Sequence, residues 1–506
     1  MMEASKKILD LIARAPGRAV AIAAPERTPL SYAELRHHLS KTIHTLNALG
    51  IGRGDRIAIV LPNGPEMATL LLSVMTAAVA APLNPAYRTE EFDFYMSDLG
   101  VKALIVETGC NTAAIAVARA RGIPVVELTT LRERAAGLFV LQGSGVPAVS
   151  RTDQDAGIAL LLHTSGTTSR PKIVPLSHRN LCASARNICA ALALSTADCC
   201  LSVMPQFHIH AIAAGLLASL AAASTVFCTS GFSALRFFSW VKEAHATWYT
   251  AVPTMHQAIL AETSRDQKIV ARTRFRFIRS ASAALPAKLL KEMEKVFAAP
   301  VIEAYTMTEA AQQITSNPLP PGVRKPGSVG LPAGPEVVTL DAKGNPQRLG
   351  VVGEVAIRGD SVMGGYENNP HANAAAFTNG WFRTGDQGFF DPDGYLRITG
   401  RLKEIINHGD NEVSPRELDE VLLEHPAIAI AVTFALPHHK FREEVAAAVV
   451  LREGGTVSEQ ELRTFVSTRL ANFKVPRRIV FVDKIPAGPT GKLQRIGLAQ
   501  RLGLAQ

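Results

Sequence analysis

The chain has 506 residues, 47% of them hydrophobic and 19% charged, with 37 Gly and 30 Pro. That balance excludes a disordered chain, a collagen-like fibre and a long coiled coil, and the length exceeds one hydrophobic core, so roughly two or three domains are expected. Lys plus Arg at 53 against Asp plus Glu at 44 leaves a net charge of +9, which suits either polyanionic partners or a mildly basic globular enzyme.

Met1–Ala13 interrupts its apolar residues with Lys6, Lys7 and Asp10, unlike a secretion signal. Apolar runs at 56–61, 103–106, 124–127 and 159–162 then alternate with Ala- and Leu-rich helical stretches such as 67–80. The alternation predicts an α/β fold, a parallel sheet covered by helices. No Asp, Glu, Lys or Arg occurs from Cys199 to Leu235, and 211–227 is almost wholly apolar. A membrane-spanning helix needs ~20 strongly apolar residues. This run is built largely of Ala, Ser and Gly between Pro205 and Gly231, so a buried helix followed by a strand at 224–228 is expected, with no membrane span.

From 327 to 400 the pattern changes to short strands at 337–340, 353–358 and 395–399, separated by turns such as Lys343-Gly-Asn-Pro346 and Asp391-Pro-Asp-Gly394. These predict a small antiparallel or barrel-like β element. The last hundred residues mix helices at 417–423 and 458–470 with strands at 446–451 and 479–482. A boundary at Gly400–Arg401 divides the chain into a large domain, 1–400, and a small α+β domain, 401–506. The six cysteines form no CxxC pair and include the adjacent Cys199 and Cys200, so buried free thiols in a reducing compartment are expected.

The most informative segment is Leu160-Leu-Leu-His-Thr-Ser-Gly-Thr-Thr-Ser-Arg-Pro-Lys172. An apolar strand runs into a loop of hydroxyls ending in a lysine, which offers several donors and one positive charge to phosphate oxygens. The loop does not match GxxxxGK[ST], because Ile173 follows Lys172 and no Gly precedes it, so a kinase or GTPase P-loop is disfavoured. Asp386, in a Thr-Gly-Asp turn, and Lys492, after a Gly, read in isolation as a turn-former and a solvated lysine. His208 and His210, in the uncharged stretch, read equally as core histidines or as site residues.

Thr164-Ser-Gly-Thr-Thr-Ser-Arg-Pro-Lys172 resembles the phosphate loop of the adenylate-forming superfamily, which comprises acyl-CoA synthetases, luciferases and adenylation domains. Four further segments follow in that family's order: Tyr305-Thr-Met-Thr-Glu309, Gly380-Trp-Phe-Arg-Thr-Gly-Asp386, Gly400-Arg-Leu-Lys-Glu404 and Pro486-Ala-Gly-Pro-Thr-Gly-Lys-Leu-Gln-Arg495. Within the superfamily the chain is most similar to oxalate–CoA ligases of the plant and fungal peroxisomal type. That likeness rests on Ser169-Arg170, Phe207-His-Ile-His210, 246–256, Arg276-Phe-Ile-Arg-Ser-Ala-Ser282 and Ser316-Asn-Pro-Leu-Pro320.

The resemblance implies an ATP-dependent acid–CoA ligase that forms an acyl-adenylate and then a thioester, with Mg²⁺ and coenzyme A (CoA) taking part and a small acid such as oxalate as substrate. Thr164, Ser165, Gly166, Thr167, Thr168 and Lys172 would hold the β- and γ-phosphates, and Thr308 would donate to the α-phosphate. Glu309 would hold Mg²⁺, a hard cation that prefers oxygen ligands. Tyr305 would stack on adenine beside the backbone of Ser282, Ala283 and Ala284. Asp386 would accept from the ribose hydroxyls, and Arg401 would lie near ribose and phosphate. Lys492 would bridge the carboxylate and the α-phosphate, where negative charge crowds. His208 and Ser280 would line the acyl pocket, and Lys403 matches the hinge about which the small domain rotates.

The chain departs from the family pattern where Ile173, Ala211 and Arg442 replace usual glycines, and where Asp410 and Asn411 replace Gly and Glu in the segment flanking the pantetheine path. These changes bear on acyl specificity and on the thiol acceptor. The alternatives are therefore a longer-chain or aromatic acyl-CoA ligase, an adenylation enzyme loading a carrier protein, and an inactive nucleotide-binding protein. Retention of Thr308, Glu309, Asp386, Arg401 and Lys492 speaks against the last. Nucleic acid is not an expected partner. The chain ends in Gly-Leu-Ala-Gln rather than Ser-Lys-Leu, and a cytoplasmic location is expected.

Overall fold

The apolar runs and the helices between them build two mostly parallel sheets where composition alone suggests one. The computed structural model describes residues 7–143, 157–164, 171–409, 411–438, 442–486 and 493–504. The larger sheet has nine strands in the order Leu331–Pro332, Gln312–Ser316, Val301–Met307, Phe277–Ala281, Trp248–Ala251, Cys199–Ser202, Thr225–Cys228, Val20–Ala23 and Leu30–Ser31. Its six strands from Val301–Met307 to Val20–Ala23 run parallel, and the flanking pairs are antiparallel. The second sheet has seven strands: Phe139–Gln142, Val125–Thr130, Ala103–Glu107, Arg56–Val60, Val79–Pro82, Ile158–His163 and Ile173–Ser177.

The largest apolar cluster takes residues from both sheets and from the helices Tyr32–Ala48, Pro65–Ala77 and His178–Ala191. Pro65–Ala77 is buried along nearly its whole length, the signature of a helix covered on all sides. It is also shorter than its sequence implies. The Ala-rich run 77–81 favours helix, yet Val79–Pro82 pairs in parallel with Arg56–Val60, so tertiary pairing overrides local propensity. The uncharged stretch folds as expected, with a buried π-helical turn at His210–Leu217, its α-helical continuation Ala218–Ala221, and the strand Thr225–Cys228. Among the described residues, no helix is long and apolar enough to cross a membrane.

The small β element is an open antiparallel sheet and not a barrel. Glu336–Leu340 pairs with Gly353–Arg358, which pairs with Trp381–Phe390; the latter also carries Phe377–Thr378 and Leu396–Arg401. Instead of closing on Glu336–Leu340, Leu396 bridges to Gly330, beside the large sheet. At Gly330 φ is +92°, and a Cβ would lie 2.0 Å from the Ser316 carbonyl carbon, so only glycine permits this junction.

Leu396–Arg401 is the last strand of that sheet, and the short turn Leu402–Glu404 leads into the C-terminal region. There a five-stranded sheet is built around Ile428–His438 and Arg442–Leu451, with Ile406–His408, Asn411–Val413 and Arg478–Phe481. The helices Pro415–Glu424 and Glu459–Ser467 cover one apolar cluster of this sheet, and Leu498–Arg501 a second. Arg495 clamps the final segment to the turn Leu402–Glu404 and to the helix Pro415–Glu424, through Glu404 at 3.0 Å and Asp419 at 2.8 Å. Arg442, which replaces a usual glycine, has φ +65°, a conformation that glycine adopts without strain and arginine does not. All six cysteines are unpaired; Cys182, Cys200 and Cys228 are buried, whereas Cys110, Cys189 and Cys199 are only half-buried.

Candidate active site

The hydroxyl-rich loop is the connection of a β-hairpin, since Ile158–His163 turns back as Ile173–Ser177 with His163 opposite Ile173. Its neck is closed twice: Thr164 N donates to the Lys172 carbonyl at 2.9 Å, and Lys172 N donates to Thr164 Oγ1 at 3.2 Å. Ser165, Gly166, Thr167, Thr168, Ser169 and Arg170 lie outside the described residues. Ile173 is a buried strand residue packed in an apolar cluster with Leu161 and Ala81, so this departure from glycine fills core. Ala211 likewise sits buried at the start of the π-helical turn.

Lys172 Nζ lies 4.3 Å from the centre of the Tyr366 ring, and the Tyr366 hydroxyl donates to Glu309 Oε1 at 2.8 Å. The phosphate-loop lysine and the acidic residue of Tyr305-Thr-Met-Thr-Glu309 therefore share one aromatic neighbour. Burial, together with the charge of Lys403, lowers the Lys172 pKa, while Glu309 opposes the shift. Lys403, the expected hinge lysine, thus acts electrostatically on Lys172. Burial pushes the Glu309 carboxyl above the ordinary range, against the Tyr366 hydrogen bond and the charges of Arg401 and Lys172.

Glu309 and Thr308 occupy a single tight turn, Thr308–Ala310, at the end of the strand Val301–Met307. This is the carboxyl edge of a parallel sheet, where open α/β folds bind ligands. On the same strand, the Tyr305 hydroxyl donates to Asp386 Oδ2. Arg401 Nε donates to Asp386 Oδ1 at 2.9 Å, and Asp386 itself is buried. Three residues from three separate motifs meet at this one carboxylate.

On the other side of the strand ends lies a polar network. His210, fully buried, bonds Thr250 Oγ1 through Nε2 at 2.6 Å and Ser282 Oγ through Nδ1 at 3.1 Å. Burial and the nearby charge of Arg279 hold its pKa far below the ordinary value, so the ring is neutral. His208 is half-buried, and its Nδ1 accepts from His210 N at 3.2 Å. Ser282 holds φ +72°, and Ala311 and Gln312 hold +48° and +107°, so strained backbone gathers here, as it does at functional sites. Ser280 is buried on the strand Phe277–Ala281 with no hydrogen-bond partner for its hydroxyl among the described residues, and it does not join this network.

Sequence reasoning ranks His208 ahead of His210 and omits Thr250, Arg279, Gln312 and Tyr366. An arginine inside an apolar strand run was a usable signal for Arg279; nothing local marks Tyr366. Lys492 and Asp410 lie outside the described residues, and Asn411 is exposed on the strand Asn411–Val413.

A pH prediction follows from Tyr366. Ionised Glu309 is the form that would hold a cation, so with Glu309 in that role activity is expected to fall as pH drops through its raised pKa. The Tyr366 hydrogen bond favours that ionised form. Tyr366→Phe is therefore expected to move the acid limb of kcat/KM for ATP to higher pH and to lower activity about 3- to 10-fold at neutral pH. A pH–rate profile with an unmoved acid limb would refute this.

Residues 10–367 match the AMP-binding enzyme family, and residues 417–492 match the AMP-binding enzyme C-terminal domain. The chain is 45% identical over 480 residues to the oxalate–CoA ligase of Arabidopsis thaliana, which spans 93% of both chains. It is 40% identical over 515 residues to that of Saccharomyces cerevisiae, spanning 95% of this chain and 94% of the relative. ATP-bound MatB from Rhodopseudomonas palustris superposes with a TM-score of 0.88 at 28% identity over 97% of each chain. The apo form of that same protein superposes less well, at 0.77. With both domains matched in order, and CoA ligases aligned along more than nine-tenths of its length, the chain belongs to the AMP-binding enzyme family and is an ATP-dependent acid–CoA ligase.

Proposed function

We propose that the acid is oxalate and that it is activated in two steps, first as an acyl-adenylate and then as a CoA thioester. The observation that carries this is the match to two oxalate–CoA ligases over nearly the whole chain, taken with the polar character of the network around His210. Oxalate keeps two charged carboxylates at neutral pH. An apolar tunnel built for a fatty chain leaves the second of them without partners, at a desolvation cost that excludes it.

In the first step a carboxylate oxygen attacks the α-phosphorus of ATP, the bond to the pyrophosphate oxygen breaks, and pyrophosphate leaves. Such transfers depend on positioning and charge stabilisation. Lys172 and the loop from Thr164 to Thr168 hold the β- and γ-phosphates, and Thr308 donates to the α-phosphate. Asp386 accepts from the ribose hydroxyls, with Arg401 beside it, and Tyr305 packs on adenine next to 282–284. Glu309 suits Mg²⁺, being a buried carboxylate with one oxygen on Tyr366, and it would hold the ion. The ion supplies neutralisation of phosphate charge. Lys492 places a positive charge between the acid and the α-phosphate, and His208 and Ser280 contribute donors to the acyl side.

In the second step the CoA sulfur attacks the acyl carbon, the acyl–phosphate bond breaks, and AMP leaves. Because Lys492 and the pantetheine-flanking segment belong to the same domain, residues 401–506 rotate as a unit about Lys403 against residues 1–400. The two MatB scores support such a motion, since that protein differs between its ATP-bound and apo forms enough to change the match.

Pyrophosphate release measured with oxalate, malonate, acetate, octanoate and cinnamate tests the substrate. Oxalate is expected to exceed octanoate and cinnamate in kcat/KM by about 100-fold or more. Highest turnover on a long fatty acid would overturn the assignment.

A further inference from the structure

Arg279 carries a buried charge that the mechanism above does not use. It is wholly buried on the strand Phe277–Ala281, yet among the described residues no carboxylate pairs with it. Its partners are neutral oxygens: Thr250 Oγ1 at 3.4 Å, Gln312 Oε1 at 3.1 Å and Gln313 Oε1 at 3.3 Å. Two buried donors are left over, Arg279 Nε and Gln312 Nε2. An unpaired buried cation is unfavourable, and this one is retained among residues that offer it no counter-charge. Burial without a counter-charge also pulls the guanidinium down to about 9, still protonated at neutral pH.

The surroundings connect this cation to the acyl side of the site. Thr250 Oγ1 is shared between Arg279 and His210, and His210 in turn bonds Ser282 at the end of the same strand. Gln312, whose Oε1 accepts from Arg279 Nη2, sits in strained backbone at φ +107° three residues after Glu309. A guanidinium and an amide, both buried and each with one donor unused, offer hydrogen bonds of the kind a carboxylate accepts.

We infer that Arg279, assisted by Gln312, is the counter-charge for the carboxylate that is not activated, and so selects a short dicarboxylate over a monocarboxylate of the same size. The inference rests on the proposal that the acid is oxalate. When the dianion enters, the site's unpaired charge is neutralised, and a monoanion bound by its reacting end leaves that charge unpaired. The discrimination lies in this difference.

The test measures kcat/KM by pyrophosphate release with oxalate and with glyoxylate, a monoanion of like size, together with the thermal midpoint, in the full chain. Arg279→Gln is expected to lower oxalate activity about 100-fold or more while leaving glyoxylate within about threefold, so that the preference collapses. Gln312→Glu supplies an internal carboxylate. It is expected to raise the thermal midpoint and to suppress oxalate selectively, and it keeps the test decisive should Arg279→Gln not fold. Equal loss on both acids, or an unchanged ratio in a folded variant, overturns the inference while the wild type still uses oxalate. A wild type that turns over no dicarboxylate overturns the substrate proposal itself, and that result precedes any variant.

Discussion

Lys492→Ala is expected to lose adenylation by about 10²- to 10³-fold while still transferring the acyl group of a preformed acyl-adenylate to CoA at a near-normal rate. The reason is electrostatic. A carboxylate approaching a triphosphate brings like charges together, and a lysine between them offsets the repulsion only while the reacting oxygens are close. Once the adenylate exists, that crowding is gone, and a thiol attacking a carbonyl has no use for the same charge in the same place. Arg495, three residues further on, is itself paired with Glu404 and Asp419. ATP–pyrophosphate exchange reads the first half-reaction, and AMP release from synthetic acyl-adenylate reads the second. Equal loss in both, or unchanged exchange, would refute the role.

Asp386→Ala is expected to raise KM for ATP about 100-fold, to leave KM for the acid nearly unchanged, and to destabilise the protein by about 1–3 kcal/mol. Its carboxylate takes the Tyr305 hydroxyl on one oxygen and Arg401 Nε on the other. Removing it leaves a buried hydroxyl and a guanidinium without their acceptor and, on the role proposed for it, nothing to receive the ribose hydroxyls. Asp386→Asn keeps an acceptor but not the charge, so part of the stability should return without the ATP affinity. The split between the two KM values separates a nucleotide-binding role from a purely structural one, which would raise both.

Much of the site was legible before folding because phosphate chemistry and sharp turns leave local signatures. The hydroxyl-rich loop declares itself in a few residues, whereas Thr308-Glu309 and the Thr-Gly-Asp turn are singled out only through the resemblance to a family's ordered motifs. Folding brings Tyr305, Asp386 and Arg401, from three separate motifs, to one carboxylate. The alternation of apolar and helical runs likewise marks the α/β class. It does not distinguish one sheet from two, because strand order depends on which buried edges meet. Nor does it mark Val79–Pro82 as a strand, since the alanines on either side favour helix and only pairing with Arg56–Val60 decides otherwise.

The resemblance of five ordered motifs sufficed to place this chain among adenylate-forming enzymes, with a large domain followed by a small one. What only the tertiary structure decided were the pairings between residues far apart in the chain. Tyr366 restrains Glu309, the neutral His210 is held between Thr250 and Ser282, and Arg279 is buried against two glutamines with no carboxylate paired to it among the described residues. Local sequence encodes backbone shape and the chemistry a loop can present. Burial, and the charge state it imposes, depends on every element packed around a residue and exists only once the sheets have formed.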